Sequence, residues 1–232
     1  MMRRMLAGLA LATTLLTSSA ETLTPARFLT LHDEISQLVK VPTDLPEDFY
    51  VIRCTATAVD REIFSPACEG GNLPDRFRQG FVNRLSRALD QVHTRVETAK
   101  RNGREVAVIY PFSILIEKTS DAVQTRLIDN HLYDYESYGM HYIAPQRILN
   151  EGKHRNSCGK NNLLIVSAAV DTYGRVTAQE LVHSKNRQSK RCIRKVHEAV
   201  EKTHFIPAQF NQQPVRGTHV RRFDDEDKTS FD

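Results

Sequence analysis

The chain has 232 residues, of which 40% are hydrophobic and 26% are charged, and its formal net charge is +4 at pH 7. This length predicts one or two ordinary domains. The composition is close to that of globular domains, which excludes a polytopic membrane protein and an intrinsically disordered chain. Because so small a positive charge is unusual for a nucleic-acid-binding domain, we expect no nucleic-acid partner.

The first 20 residues have the layout of a secretory signal peptide. Arg3 and Arg4 precede a run without charge, residues 5–17, and small residues occupy positions 18–20. The run is shorter than the roughly 20 apolar residues that a membrane-spanning helix needs. We predict export to the periplasm with cleavage after Ala20. The alternative is an uncleaved inner-membrane anchor with the rest of the chain facing the periplasm.

Residues 21–118 are predicted to form a first structural unit. An apolar pattern at helical spacing in residues 28–38 is followed by alternating residues that predict a hairpin of strands at 50–59 and 62–68. Asn72 is positioned to cap a helix over residues 74–92.

The apolar run at residues 106–116 predicts the last strand of this unit. Within that run, Pro111 indicates an edge position, a bulge or a break, because proline has no N–H to donate.

Residues 140–223 repeat this order of elements. Strands are predicted at residues 163–170 and 175–183, and Ser189 is positioned to cap a helix that Pro207 cannot continue. A last strand is predicted at residues 215–223. The predicted fold is therefore α+β, with two tandem ββαβ units that each pack one helix on an antiparallel sheet.

Three further features complete this organisation. Residues 99–106 align with residues 208–215 at an offset of 109, which supports an internal repeat. Residues 119–139 are a connector between the units. Residues 224–232 form an acidic tail.

Three short motifs of the second unit occur in a fixed order. They are Val-Asp-Thr-Tyr-Gly-Arg-Val at residues 170–176, Phe-Ile-Pro-Ala at 205–208 and Pro-Val-Arg-Gly at 214–217. Over residues 140–223 this set closely resembles the C-terminal domain of the TonB family, although Gln212 stands where the family has Gly. The matched residues to which we assign a structural role are Gly174, Phe205, Pro207 and Ala208.

The resemblance implies a small antiparallel sheet with one packed helix and a free sheet edge. In TonB proteins a short extended segment of an outer-membrane receptor docks at such an edge, and edge strands do offer unpaired backbone groups. The expected partner-binding edge comprises Val215, Arg216, Gly217, Thr218, His219, Val220, Arg221, Arg222 and Phe223. The nine prolines are scattered, so the long Pro-rich spacer of TonB energy transducers is missing.

Four cysteines in an exported protein predict two disulfides. If the first hairpin turns symmetrically about Arg61, Cys54 lies directly opposite Cys68, at a distance that suits a disulfide. This pairing leaves Cys158 to pair with Cys192. The spacing of cysteines and histidines does not match a metal site, so we expect neither a metal nor another cofactor.

No phosphate-binding loop, nucleophile elbow or zinc-protease motif occurs in the sequence. We therefore expect a non-enzymatic protein-binding module of the cell envelope that acts in outer-membrane transport. One alternative is a membrane-anchored TonB-type energy transducer, and another is an envelope hydrolase that uses His183 or His197. A basic run offers a possible contact with an anionic surface through Lys185, Arg187, Lys190, Arg191, Arg194 and Lys195.

Overall fold

The computed structural model describes residues 21–29, 39–91, 95–149, 163–185 and 188–223. The predicted signal peptide, Cys158, Arg187, the acidic tail and most of the predicted first helix, residues 30–38, lie outside the described residues.

The described residues form short and long strands and three helices. The first part contains β1 (Leu23–Thr24), β2 (Arg27–Phe28), β3 (Asp48–Val59), β4 (Glu62–Glu69), α1 (Asp75–Gln91), β5 (Val96–Glu97), β6 (Lys100–Arg101), β7 (Arg104–Glu105) and β8 (Val108–Lys118). The second part contains β9 (Val123–Ile128), α2 (Tyr135–Tyr138), β10 (Gln146–Ile148), β11 (Leu164–Val170), β12 (Val176–Ser184), α3 (Lys190–Glu201), β13 (Phe205–Ile206), β14 (Ala208–Phe210), β15 (Gln213–Val215) and β16 (Gly217–Phe223).

Two antiparallel sheets dominate the fold. In the larger sheet β3 lies between β4 and β8, and the other edge of β8 pairs with β9 and β10 at successive positions. β13 then pairs with β10. The smaller sheet has the order β12-β11-β16. The fold is therefore of the α+β type, and no helix among the described residues has the length and hydropathy that a membrane crossing requires.

The hairpin of β3 and β4 confirms the predicted pairing of Cys54 with Cys68, but for a different reason. Val59 pairs with Glu62, so the loop has two residues, both with positive φ as in a type I′ turn. In that register Cys54 would face residue 67. A bulge at Ser65, whose φ is 49°, inserts one residue into β4 and moves Cys68 opposite Cys54. The two cysteines form a disulfide with a Cα–Cα distance of 4.0 Å.

Removal of this disulfide should lower the stability of the protein clearly. The bridge closes a loop with a sequence separation of 14, for which we expect the double variant Cys54→Ala/Cys68→Ala to lose about 3 kcal/mol of unfolding free energy. Urea unfolding of both proteins without reductant measures the difference. A loss below about 0.5 kcal/mol, which is typical of a neutral surface change, would contradict this expectation.

The prediction from Pro111 is corrected by the structure. β8 is an interior strand that pairs with β3 without interruption from Val108 to Lys118, and Pro111 lies opposite Thr55. On its other side β8 pairs with β10 only up to Ile109 and with β9 only from Ser113. Pro111 therefore falls in the gap between these two partners, where no N–H is required from it.

Helix α1 packs its apolar stripe on one face of the larger sheet. Phe81, Leu85 and Leu89 of the helix are buried in one cluster with the side chains of β3 and β8. Asn72 does not cap this helix as predicted. Its side-chain amide donates to the carbonyl of Phe49 and accepts from the amide of Val51, so it ties the chain before the helix to β3.

Helix α3 covers the smaller sheet in the same way. The hydroxyl of Ser189 accepts from the amide of Cys192 at 3.1 Å, which confirms the predicted cap. Val196 and Val200 of the helix are buried in one cluster with Leu164 and Val166 of β11. Cys192 is disulfide-bonded, and its predicted partner lies outside the described residues.

Candidate functional site

The structure places the predicted partner-binding residues at one edge of the smaller sheet. Val215 ends β15, Arg216 separates the two strands, and the remaining seven residues form β16. Within the described residues, the only strand that pairs with β16 is β11. Gly217 is packed closely, because a Cβ added there would lie 2.7 Å from the Cβ of Ala208.

The outer edge of β16 is covered at its beginning by the connector between the sheets. One carboxylate oxygen of Asp134 accepts from the amide of Thr218 at 2.7 Å, and the other accepts from the Thr218 hydroxyl at 2.7 Å. Asp134 also accepts from the hydroxyl of Tyr142 at 2.9 Å. The backbone amides of alternate residues in a strand point to the same side. Every second amide of β16, counted from Thr218, therefore points away from β11.

Asp134 should therefore contribute to the stability of this edge. Asp134→Ala leaves three donors without their acceptor, and we expect it to lower the unfolding free energy by about 2–3 kcal/mol. Glu136→Ala, an exposed acidic residue of the same connector, is the matched control and should change stability by less than about 0.5 kcal/mol. Equal losses in urea unfolding would show that the contacts of Asp134 contribute nothing particular.

The side chain of His219, on β16, is buried against Phe205 and Pro145. Its ring lies 4.8 Å from the ring of Phe205, and its Nδ1 lies 3.3 Å from the carbonyl oxygen of Pro145. Burial, with a smaller contribution from nearby Arg147, lowers the pKa of His219 to about 3. The imidazole is therefore neutral at pH 7, and Nδ1 carries the proton because a carbonyl can only accept.

A second buried histidine fixes the connector to the larger sheet. His131 Nε2 lies 2.7 Å from the carbonyl oxygen of Cys54, and burial lowers the pKa of His131 to about 4. The adjacent Asn130 is fully buried; its side-chain amide donates to the carbonyls of Met140 and Tyr142. These satisfied polar groups define one conformation for the connector.

The four residues with a predicted structural role are placed together. Gly174 lies in the turn between β11 and β12, and Phe205 and Ala208 are buried in the short strands around Pro207. The carbonyl of Gly174 accepts from the amide of Phe205 at 3.0 Å. Gly174 and Phe205 therefore hold the chain after α3 against the β11–β12 turn, whereas Ala208 packs in a cluster with Tyr142 and Ala144.

Four residues of the basic run are exposed, and a fifth, Lys195, is half-buried. The two histidines of the hydrolase hypothesis lie on different elements. Lys190, Arg191, Arg194 and Lys195 lie on the first turns of α3, and Lys185 follows β12. Arg194 pairs with Glu198 at 3.5 Å. His183 is exposed on β12, while His197 lies on α3.

Strand β9 lies within residues 119–139, the segment for which the sequence predicts only a connector. It pairs with β8 over six residues, and an open groove of about 750 Å³ runs beside it. The residues along the groove come from β9, from residues 140–143 and from Phe28. The alternation of Val123, Thr125 and Leu127 with Gln124 and Arg126 is the signal in the sequence that could have identified this strand.

The candidate site is therefore a set of sheet edges and not a cluster of reactive groups. Among the described residues no group of three or more His, Cys, Asp or Glu side chains is placed to hold a metal ion. Comparison of the chain with protein-family models, with curated proteins and with solved structures finds no match.

Proposed function

We propose that the protein is an exported, non-enzymatic binding module of the cell envelope. It binds an extended segment of another envelope protein, which pairs as a strand with the edge of one of its sheets. This binding contributes to transport across the outer membrane. The observation that carries this proposal is that the outer edge of β8 pairs with an added antiparallel strand, β9. Main-chain hydrogen bonds supply affinity in this mode of recognition.

The proposal includes two tandem ββαβ units, residues 21–118 and 140–223. An offset of 109 residues between equivalent positions supports two such units. It relates the start of β5, Val96, to the start of β13, Phe205, and it relates Val108 of β8 to Gly217 of β16. The same offset relates the pairing of Lys100 with Glu105 to that of Gln209 with Pro214. In each case the two turn residues between the strands have positive φ, as Gln212 does with 63°.

The segments that pair with β6 and with β14 also support the internal repeat. Thr24 pairs with Lys100, and Ile143 pairs with Gln209, which lies 109 residues later than Lys100. Each unit then has its first long strand between its second and its last, in the orders β4-β3-β8 and β12-β11-β16. By this equivalence β16 corresponds to β8, the strand whose outer edge carries β9.

A role without catalysis is favoured by the nature of the buried polar groups. His131, His219 and Asn130 each have backbone carbonyl partners, and the described part of the chain brings none of them to an open cavity with a nucleophile. The basic residues of α3 are proposed as a secondary contact with an anionic surface.

Fractionation followed by mass measurement tests the export part of the proposal. We expect a periplasmic species that begins at Glu21 and has a mass four units below the all-thiol value when no reductant is used, as two disulfides require. A membrane-bound species that still begins at Met1 would instead favour the anchored energy transducer.

Crosslinking in whole cells tests the binding part. We expect the protein to form a covalent adduct with an envelope protein. Failure to crosslink to any periplasmic or outer-membrane protein would overturn the proposed function.

A further inference from the structure

A groove lies beside the outer edge of β9. The groove, here called the β9 groove, lies between β9 and residues 140–143, and its volume is about 750 Å³, within the range of ligand sites in proteins. At one end it is closed by a hydrogen bond from the amide of Ala144 to the carbonyl of Asp129, at 2.9 Å. At the other end Met140 lies near Gln124 and Arg126.

Two hydrogen bonds establish which backbone groups of β9 face the groove. The amide of Thr119 donates to the carbonyl of Ala122 across the β8–β9 turn, so even-numbered residues of β9 bond to β8. The carbonyl of Asp129 accepts from Ala144 on the opposite side. The amides and carbonyls of Val123, Thr125 and Leu127 therefore point into the groove, and β9 pairs with no strand other than β8 in the described structure.

Three other edge strands of the two main sheets, β4, β12 and β16, carry features that hinder strand addition. β4 has a bulge, and the carboxylate of Asp90 accepts from the amide of Ser65. β12 has two irregularities in its register. The amide of Thr218 on β16 is bonded to Asp134. Bulges and covered amides are ways in which proteins protect edges, whereas the register of β9 is regular over all six residues.

The groove also defines the chemistry of its occupant. Phe28, Met140 and Ile143 are half-buried apolar residues along it. The Asp129 carboxylate is already bonded to the hydroxyl of Tyr110. Arg126 is exposed, and among the described residues its guanidinium forms a hydrogen bond only with Gln124, at 3.5 Å.

We propose that the β9 groove binds an extended peptide segment of a partner protein as an added strand, with apolar side chains at alternate positions and a carboxylate that pairs with Arg126. This inference rests on the proposed function and assigns its binding edge to β9 in place of β16. A carboxylate on the peptide complements the positive charge of Arg126. The peptide's apolar side chains alternate because successive side chains of a strand point to opposite faces of the sheet.

A synthetic peptide tests the site. The probe is a blocked nine-residue peptide in which Thr and Val alternate and Glu replaces the central Thr, and its binding to the mature protein is measured by fluorescence anisotropy. We expect a dissociation constant on the order of 100 μM or lower. Thr125→Pro removes one amide that faces the groove, and the affinity should fall at least about fivefold. The matched variant on the β16 edge, Val220→Pro, should leave it unchanged within about twofold.

Two controls do not depend on whether the proline variants fold. Peptides N-methylated at every odd or at every even residue keep the same side chains, and only one of the two should bind, because only one set of amides faces β9. Replacing the peptide Glu by Gln should weaken binding to the natural protein by about threefold but not change binding to Arg126→Ala. Equal binding of both methylated peptides, or no binding of the parent peptide, would overturn the site.

The experiments distinguish an error in the β9 site from an error in the proposed function. If whole-cell adducts with an envelope protein form as well with Thr125→Pro as with the natural protein, the β9 site is wrong and the proposed function stands. If the natural protein forms no adduct, the proposed function is wrong. Loss of peptide binding in Val220→Pro but not in Thr125→Pro would move the site to β16.

Discussion

Gly174→Ala should destabilise the protein by about 3–5 kcal/mol or prevent it from folding, which is the largest effect of a single substitution that we expect. Gly174 has a φ of 77°, a conformation that costs an L-residue about 1–2 kcal/mol. A Cβ at this position would also lie 1.9 Å from the carbonyl oxygen of Phe205 and 3.0 Å from its carbonyl carbon. Both are backbone atoms, so the clash is relieved only if the β11–β12 turn moves away from β13.

Gly103→Ala is the matched control for this substitution. Gly103 has nearly the same φ, 75°, but no atom lies within 4 Å of a Cβ built on it. Gly103→Ala should therefore lower the unfolding free energy by only the cost of the backbone conformation, about 1 kcal/mol. Urea unfolding of the two variants separates the close approach to Phe205 from the backbone conformation. Equal losses would mean that the contact between Gly174 and Phe205 does not form.

Acid should destabilise the protein through its two buried histidines, and this is the second large effect. The folded-state pKa values of His131 and His219 are lowered to about 4 and about 3 from the ordinary value of 6.5. The unfolded chain therefore binds more protons than the folded chain between pH 6.5 and these values. The stabilisation is fully present above about pH 6.5 and is lost as the pH falls toward 4 and 3.

The expected loss between pH 7 and pH 5 is about 2 kcal/mol for each histidine. Urea unfolding at the two pH values measures the total, and His219→Gln should remove about half of the pH dependence. His183→Gln is the matched control because His183 is exposed on β12, and it should leave the dependence unchanged. Stability that does not fall between pH 7 and pH 5 would show that these imidazoles are accessible to protons in the folded protein.

Local patterns in the sequence were sufficient to predict the long strands and two helices. The alternation in residues 50–59, the Ser189 cap and the stop at Pro207 each act over a few neighbouring residues, so a single sequence shows them directly. The pairing of Cys54 with Cys68 was also predicted, from a hairpin that turns symmetrically about Arg61. The structure reaches the same pairing by another route, because a two-residue turn is combined with a bulge at Ser65.

The features that were not predicted depend on contacts between distant parts of the chain. Pro111 is acceptable inside a sheet only because β9 and β10 leave a gap beside it, and both strands come later in the sequence. Likewise, Asp134 meets Thr218 across 84 positions. The strand β9 lies within a segment rich in polar residues, where six alternating positions are a weak signal.

Position-specific photocrosslinking in cells tests whether the protein binds a partner through a sheet edge. A photoreactive residue is placed at Gln124 on β9, at Val220 on β16 or at Arg84, an exposed position on α1. We expect an adduct with an envelope protein at one of the two edge positions, Gln124 according to the inferred site, and none at Arg84. Adducts of equal yield at all three positions, or none at either edge, would contradict binding by strand addition.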